Sequence, residues 1–500
     1  MSPPDARDLA PTPDDDVDPS ARLTPPPDVG TLGRLRETGW RSIPVAEEIR
    51  RNAAARIAAG RPLVGGVLGF EDSVLPQLEN ALLAGHDVIL LGERGQAKTR
   101  IIRSLVSLLD EWVPVVAHSE INDDPYHPVS RFAKDVVAEQ GDETPIAWVH
   151  RSDRYGEKLA TPDTSIADLI GEVDPIRVAE GRYLSDELTI HYGLVPRLNR
   201  GIFAVNELPD LAERIQVGLL NVLEERDVQI RGHRVRLPLD IMLVATANPE
   251  DYTNRGRIIT PLKDRFGAQI RTHYPPDAEV ELRIAEMEAD LPGQTRDSQR
   301  DAALPRAEMP DFMAEVVAEL SQLARQSPHL NQRSGVSVRL TIANYETLVA
   351  NATRRALRNG EDEAVPRVSD LSALVSSTQG KVEIESLEEG REEVILGQLV
   401  NAATLLVFRR RVALDDPRAV VGAFTEETVV HVGDDLPAAA YAGTLTELTA
   451  LRAPVDALTG GSEDPGVVAS ALEFLLEGLH LTKRLNKDAA GGRAVYRSRG

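Results

Sequence analysis

Four short stretches of this sequence place residue types suited to phosphate chemistry in one order along the chain. The first, "LGERGQAKTR" (Leu91 to Arg100), follows an apolar run and opens a segment with Ile101, Ile102, Leu105, Leu108 and Leu109 at helical spacing. Strand, glycine-bearing loop and helix in that order make a phosphate-binding loop. Gly92 and Gly95 let backbone N–H groups approach the oxygens, and the helix N-terminus adds positive potential. Lys98 reaches the β- and γ-phosphates and Thr99 ligates Mg2+, with Glu93, Arg94, Gln96, Ala97 and Arg100 completing the binding stretch. Ala97 stands where the common pattern has glycine; its methyl is tolerated if the backbone there stays right-handed.

The second stretch is "GIFAVNELPDL", whose apolar run ends on Asn206 and Glu207, at the strand end where parallel sheets hold ligands. Glu207 is the candidate to orient and deprotonate an attacking water. Asn206 occupies the position of a metal-side aspartate. Its carbonyl oxygen can still accept a hydrogen bond from a metal-bound water, but it brings no negative charge, so weak metal affinity and slow turnover are expected. Asp210, one helical turn on, is a candidate source of the missing charge. The third stretch, "VATANPEDY", offers Asn248 to the γ-phosphate or the water. The fourth, "TPLKDRF", offers Arg265 to neutralise developing charge across a subunit interface.

Buried parallel strands must position these groups, since "DVILL" (87–91), "IFAV" (202–205) and "IMLVATA" (241–247) are continuous apolar runs. The expected fold is therefore α/β over residues 67–275. "DFMAEVVAELSQLARQ" puts Phe312, Val316, Leu320, Leu323 and Ala324 on one helical face, and "SVRLTIANYETLVANATRRALRNG" ends at Gly360, so a helical lid domain is expected over 276–385. Residues 386–500 read as a mainly helical extension, with a strand or two in "GAFTEETVVHVGDDLP". Residues 31–66 read as a helical segment stopping at Gly60. Residues 1–30, dense in Pro and Asp, read as a disordered tail. The formal charge of 56 − 79 = −23 argues against nucleic acid and acidic membranes as partners. The chain has no cysteine, which excludes disulfides and thiolate chemistry. With no apolar run of spanning length and no signal-like start, a cytoplasmic location is the expectation.

The ordered set from Lys98 through Glu207, Asn248 and Arg265 to the "SGVSVR" segment resembles the AAA+ ATPases, within them the clade of MoxR proteins and the magnesium chelatase ATPase subunit. "GERGQAKT", "GIFAVNELPDL…VGLLNVLEERDVQIRG" and "ATPDTSIADLIGEVD" with "GLVPRLNRG" carry the likeness, over residues 67 to 360. It implies a P-loop AAA+ core binding ATP and Mg2+, with Lys98 and Thr99 as Walker A, Asn206 and Glu207 as Walker B, and Asn248 as sensor 1. It further implies Arg265 as arginine finger, Arg255 and Arg257 as reserves, and Arg339 as sensor 2. A homo-hexameric ring follows from the same likeness, working on a partner by remodelling or metal insertion. The sequence has no D-x-S-x-S motif, so a von Willebrand-type partner would be another chain. Magnesium insertion into porphyrin, and a nucleotide-gated scaffold with little hydrolysis, are the alternatives.

Three further signals carry less. "VQIRGHRVRLP" reads as a hairpin presenting Arg231, His233, Arg234 and Arg236, either to a partner or as a charged sheet edge. "GAFTEE" (422–427) resembles a loop of AAA+ enhancer-binding activators but lies far beyond Arg265, and is read as coincidence. "SEINDDPYHP", with His127, is expected to be a solvated loop rather than a metal site.

Overall fold

The computed structural model describes residues 22–24, 26–173, 187–221, 224, 227–230, 233–248, 257–291, 304–331, 335–384, 391–413, 417–425, 427–490 and 493–499. The chain divides into two compact units, Met1–His273 and Tyr274–Gly500.

The first unit is built on a five-stranded parallel sheet. Its strands are β1 (Val88–Leu91), β2 (Tyr155–Leu159), β3 (Gly201–Asn206), β4 (Ile241–Ala247) and β5 (Ala268–Arg271), in the order β5-β1-β4-β3-β2. All six residues of β3 and six of the seven in β4 are buried, as expected of strands covered on both faces. Side chains alternate between two cores. Leu90, Ile202, Ala204, Met242 and Val244 pack with Ile101 and Ile102, whereas Ile89, Phe203, Val205, Leu243 and Ala245 pack with Leu262 and Phe266 on the other face.

Helices α1 (Val45–Ala58), α2 (Val74–Ala84) and α3 (Lys98–Ser104) cover the first face, and α4 (Glu213–Leu220) and α5 (Thr260–Arg265) contribute to the second. Helix α1 ends just before Gly60, whose φ of +66° is the left-handed conformation a helix stop favours in glycine. It is tied down by a buried ion pair. Glu48 accepts from Arg154 at 2.8 and 2.6 Å, and Arg154 Nε donates to the Arg200 carbonyl at 2.7 Å. The two side chains are 3% and 1% exposed.

The acidic loop 119–128 departs from expectation. Asp123 is fully buried and accepts from the Val129 and Ser130 amides and from the Ser119 and Ser130 hydroxyls, while Ser130 caps the helix Arg131–Gln140. The carboxylate organises a turn, which is why water does not hold it. Among the described residues no cluster of His, Cys, Asp or Glu is arranged for a metal.

The second unit starts with α6 (Ala278–Glu288), α7 (Asp311–Gln326) and α8 (Arg339–Asn359), the last closed by Gly360 at φ +69°. Phe312, Val316, Leu320 and Ala324 of α7 are buried along one face and Leu323 partly so. Later come α9 (Arg391–Arg411) and α10 (Pro465–Leu481), with an antiparallel sheet in which β8 (Arg493–Ser498) lies between β6 (Val429–Gly433) and β7 (Leu485–Ala490). The strand expected near residue 430 is present. The pair 485–498 was not anticipated, because "LNKDAA" lacks apolar alternation. No described helix is long and apolar enough to cross a membrane. The basic hairpin pairs Asp227–Ile230 with His233–Arg236, but Arg231 and the side chains of His233, Arg234 and Arg236 lie outside the described residues. So does the tail up to residue 21.

Replacing Glu48 with alanine leaves the Arg154 guanidinium buried without its counter-ion. A loss of roughly 3–5 kcal/mol is expected in the first unit. All three tryptophans, Trp40, Trp112 and Trp148, belong to that unit, so denaturant unfolding followed by tryptophan fluorescence reads it directly.

Candidate nucleotide site

The carboxyl ends of β1, β4, β3 and β2 stand side by side. Leu91 pairs with Ala247, Ala245 with Val205, and Asn206 with Leu159. Three of the chain segments leaving this edge carry the sequence-predicted groups: the loop from Gly92 after β1, Asn248 after β4, and Asn206 with Glu207 at the end of β3.

The loop turns through Gly95 at φ +76° and Ala97 at φ 52°, ψ 12°, directly before α3. Ala97 is therefore left-handed, against the expectation of a right-handed backbone. A methyl in that region costs roughly 1–2 kcal/mol. The glycine of the common pattern fits that geometry; alanine is tolerated under strain. Gln96 is held beneath the loop, where its Oε1 accepts from Thr272 Oγ1 at 2.6 Å. Lys98 Nζ donates to the carbonyls of Gly92 and Glu93, the latter at 2.6 Å, and to Asn248 Oδ1 at 3.2 Å. Lysine and Asn248 thus meet. Thr99 follows on the first turn of α3, and among the described residues its hydroxyl has no partner. Arg94 and Arg100 are exposed and Glu93 is half-buried.

Asn206 is 8% exposed. Its Nδ2 donates to Glu157 Oε1 at 2.5 Å, and its Oδ1 accepts from Thr246 Oγ1 at 3.3 Å. The same threonine oxygen accepts the Glu207 amide at 3.0 Å. Glu207 sits at φ 57°, ψ 47°, a second non-glycine residue in the left-handed region, and this kink ends β3. Its carboxylate has no hydrogen-bond or ion-pair partner among the described residues. Strain at Ala97 and at Glu207 places two costly backbone conformations at one end of the sheet, which is where function tends to concentrate them.

Glu157 also pairs with Arg103 of α3, at 2.8 and 3.1 Å, and accepts the Tyr155 hydroxyl at 3.0 Å. Burial pushes its pKa up, yet the hydrogen bonds from Arg103 and Tyr155 outweigh that and hold it below the usual value.

Arg265 is not brought to this edge. It ends α5 and forms an ion pair with Asp87 at 3.2 Å, at the residue before β1 and so at the opposite end of that strand. Its Nε is buried without a hydrogen-bond partner among the described residues. Burial raises the pKa of Asp87, with Arg265 opposing. Of the reserve arginines, Arg257 is exposed and Arg255 lies outside the described residues. Arg339 opens α8 in the second unit.

A family model described as the sigma-54 interaction domain matches residues 180–265, a span that contains Asn206, Glu207, Asn248 and Arg265 and ends far short of Gly422. The magnesium-chelatase subunit ChlI of Nephroselmis olivacea is 27% identical over 345 residues, covering 65% of this chain and 91% of that protein. The subunit of the same name from Mesostigma viride is 30% identical over 234 residues, 43% of this chain and 58% of that one. A solved chain from the complex between subunits BchI and BchD of magnesium chelatase aligns at 20% identity and a TM-score of 0.33, over 67% of this chain and 100% of that one, too loose for comparing geometry. The chain is a homologue of the magnesium-chelatase ChlI subunits.

In this magnesium-chelatase homologue three contributors escaped sequence reasoning. Thr246 lies inside an apolar run and reads there as a strand filler. Thr272 follows the short β5. Glu157 sits in "YGEKL", a polar edge strand with no hydrophobic run to mark it. Only the pattern of chain crossings brings Glu157 to Asn206.

Two substitutions test this construction. Ala97→Gly removes the left-handed methyl and is expected to stabilise the first unit by about 1 kcal/mol in tryptophan-monitored unfolding. Thr246→Val, at a site 3% exposed, removes the acceptor of the Glu207 amide and is expected to cost roughly 1–3 kcal/mol in the same measurement.

Proposed function

We propose that the edge formed by β1, β4 and β3 holds ATP with Mg2+, and that this ATPase couples hydrolysis to work on a partner chain. The donor set supports it. Positive-φ turns at Gly95 and Ala97, the Lys98 ammonium and the start of α3 offer N–H groups and positive potential, which suit phosphate oxygens. The Thr99 hydroxyl and the oxygens near Asn206 suit a hard cation. When bound, ATP supplies the phosphoryl group and Mg2+ the charge that screens it.

The chain's own groups then take these roles. Lys98 leaves the Gly92 and Glu93 carbonyls to neutralise phosphate charge, and Asn248, already its neighbour, orients the terminal group. The unpartnered Glu207 carboxylate positions a water and accepts its proton. Arg265 is assigned to act in trans on a neighbouring copy, which requires its ion pair with Asp87 to open; exposed Arg257 is the reserve. Arg339 is assigned as sensor 2 by the family resemblance alone.

The observation that carries the proposal is the meeting of Lys98 with Asn248 beside the Asn206–Thr246–Glu207 chain of hydrogen bonds. A homo-hexameric, cytoplasmic, MoxR-like ring with a von Willebrand-type partner is the assembly the family resemblance supports, and the relatives' being named as subunits favours a partner. Those names also favour magnesium chelation, which a magnesium-tetrapyrrole product would reveal.

Glu207→Gln keeps the shape of the site while removing its base. ATP turnover is expected to fall by about a hundredfold or more with nucleotide affinity retained. Wild-type turnover no faster than that of Glu207→Gln would contradict the ATPase-motor reading, and chains co-purifying with the trapped variant would identify the partner.

A further inference from the structure

Asn206 is oriented as a donor toward its neighbour. A carboxylate can only accept, so the group facing Glu157 Oε1 must be the amide nitrogen, and the amide oxygen is turned to Thr246 Oγ1. The Asn206 carbonyl, expected to serve the metal, already accepts from Thr246 Oγ1 at 3.3 Å and has one further lone pair. The negative charge missing from residue 206 lies one strand away.

Strand alternation puts that charge on the useful face. Asn206 continues the series Ile202, Ala204, which packs against α3, and Glu157 pairs in register with Ala204. Helix α3 carries Thr99, and Arg103, four residues on and so on the same helical face, holds Glu157. Thr99, Arg103, Glu157 and Asn206 therefore line one seam between α3 and the sheet.

The four acceptor positions of the Glu157 carboxylate are filled by Arg103 Nε at 2.8 Å, the second Arg103 nitrogen at 3.1 Å, the Tyr155 hydroxyl at 3.0 Å and Asn206 Nδ2 at 2.5 Å. Arg103, whose side chain is 64% exposed, is the occupant that water can replace at least cost.

We propose that Glu157 is the carboxylate of the metal site: it supplies the negative charge to the water shell of an Mg2+ ion held at Thr99, and Asn206 is the positioning residue that aims it. The aspartate of the usual arrangement has moved from β3 to β2, and an amide has taken its place as the link. Arg103 caps the carboxylate until the cation displaces it. This rests on the ATP reading above.

The test uses the full-length protein, Mn2+ as the probe and a non-hydrolysable ATP analogue. Free Mn2+ is read by electron paramagnetic resonance, and nucleotide affinity without metal is read separately with a fluorescent analogue in EDTA. Glu157→Gln is expected to weaken Mn2+ binding by about tenfold or more while metal-free nucleotide affinity stays within about twofold. Glu157→Gln combined with Asn206→Asp, which returns the charge to β3, is expected to recover most of that loss. Arg103→Gln is expected to bind Mn2+ at least as tightly as wild type. Glu157→Gln with unchanged Mn2+ affinity, or a double variant as weak as the single, overturns the proposal. Should Glu157→Gln fail to fold, Arg103→Gln decides, because weaker Mn2+ binding there would show the pair to be structural. A wild-type protein that binds no nucleotide with or without metal removes the ATP site, and this inference with it, and is distinguished by the EDTA measurement.

Discussion

Parallel pairing fixes the ends of β1, β4, β3 and β2 at one level, and each of the site's groups is an extension of one of those ends. Because Leu91 is opposite Ala247 and Asn206 opposite Leu159, a slip of one residue in any pair would send Asn206, Thr246 or Glu157 to the other face of the sheet. The register is itself held by burial. Residues of alternate parity belong to two separate cores, so shifting a strand would exchange them wholesale. The polar edge is thus positioned by apolar packing beneath it, and hydrogen bonds refine it.

That refinement has a cost in backbone strain. Ala97 and Glu207 both adopt a left-handed conformation without being glycine, and both are followed by short helical turns, α3 and the single turn Leu208–Asp210. Each kink aims the next group out of the sheet plane. Thr246 binds the kink at Glu207 to Asn206 through a single oxygen, so the two residues share one anchor on the neighbouring strand. Arg265, by contrast, is held at the far end of β1 by Asp87.

The strands β1, β3 and β4 were legible because burial on both faces demands unbroken apolar runs, and the turn between β1 and α3 because its glycines interrupt the apolar pattern. Helix α7 was legible to the residue from its apolar periodicity, and the end of α8 from Gly360. What the sequence hid has physical causes. Strand β2 is an edge strand, half-buried along most of its length, so it needs no hydrophobic signature; yet it carries Glu157. The left-handed backbone at Ala97 is set by how the loop must enter α3, and the residue type alone argues against it. The loop around Asp123 looked solvated because its charges were visible and its partners, four donors from Ser119 and residues 129 and 130, were not.

One triphosphate and one cation are proposed to occupy the edge where these strand ends meet. A crystal structure with a non-hydrolysable ATP analogue and Mg2+ tests it most directly. The account predicts the terminal phosphate between Lys98 and Asn248, the cation on Thr99, and its water shell in hydrogen-bond contact with Glu157. Phosphates bound away from Lys98, or a cation whose shell meets Asn206 Oδ1 while Glu157 stays locked to Arg103, would contradict it.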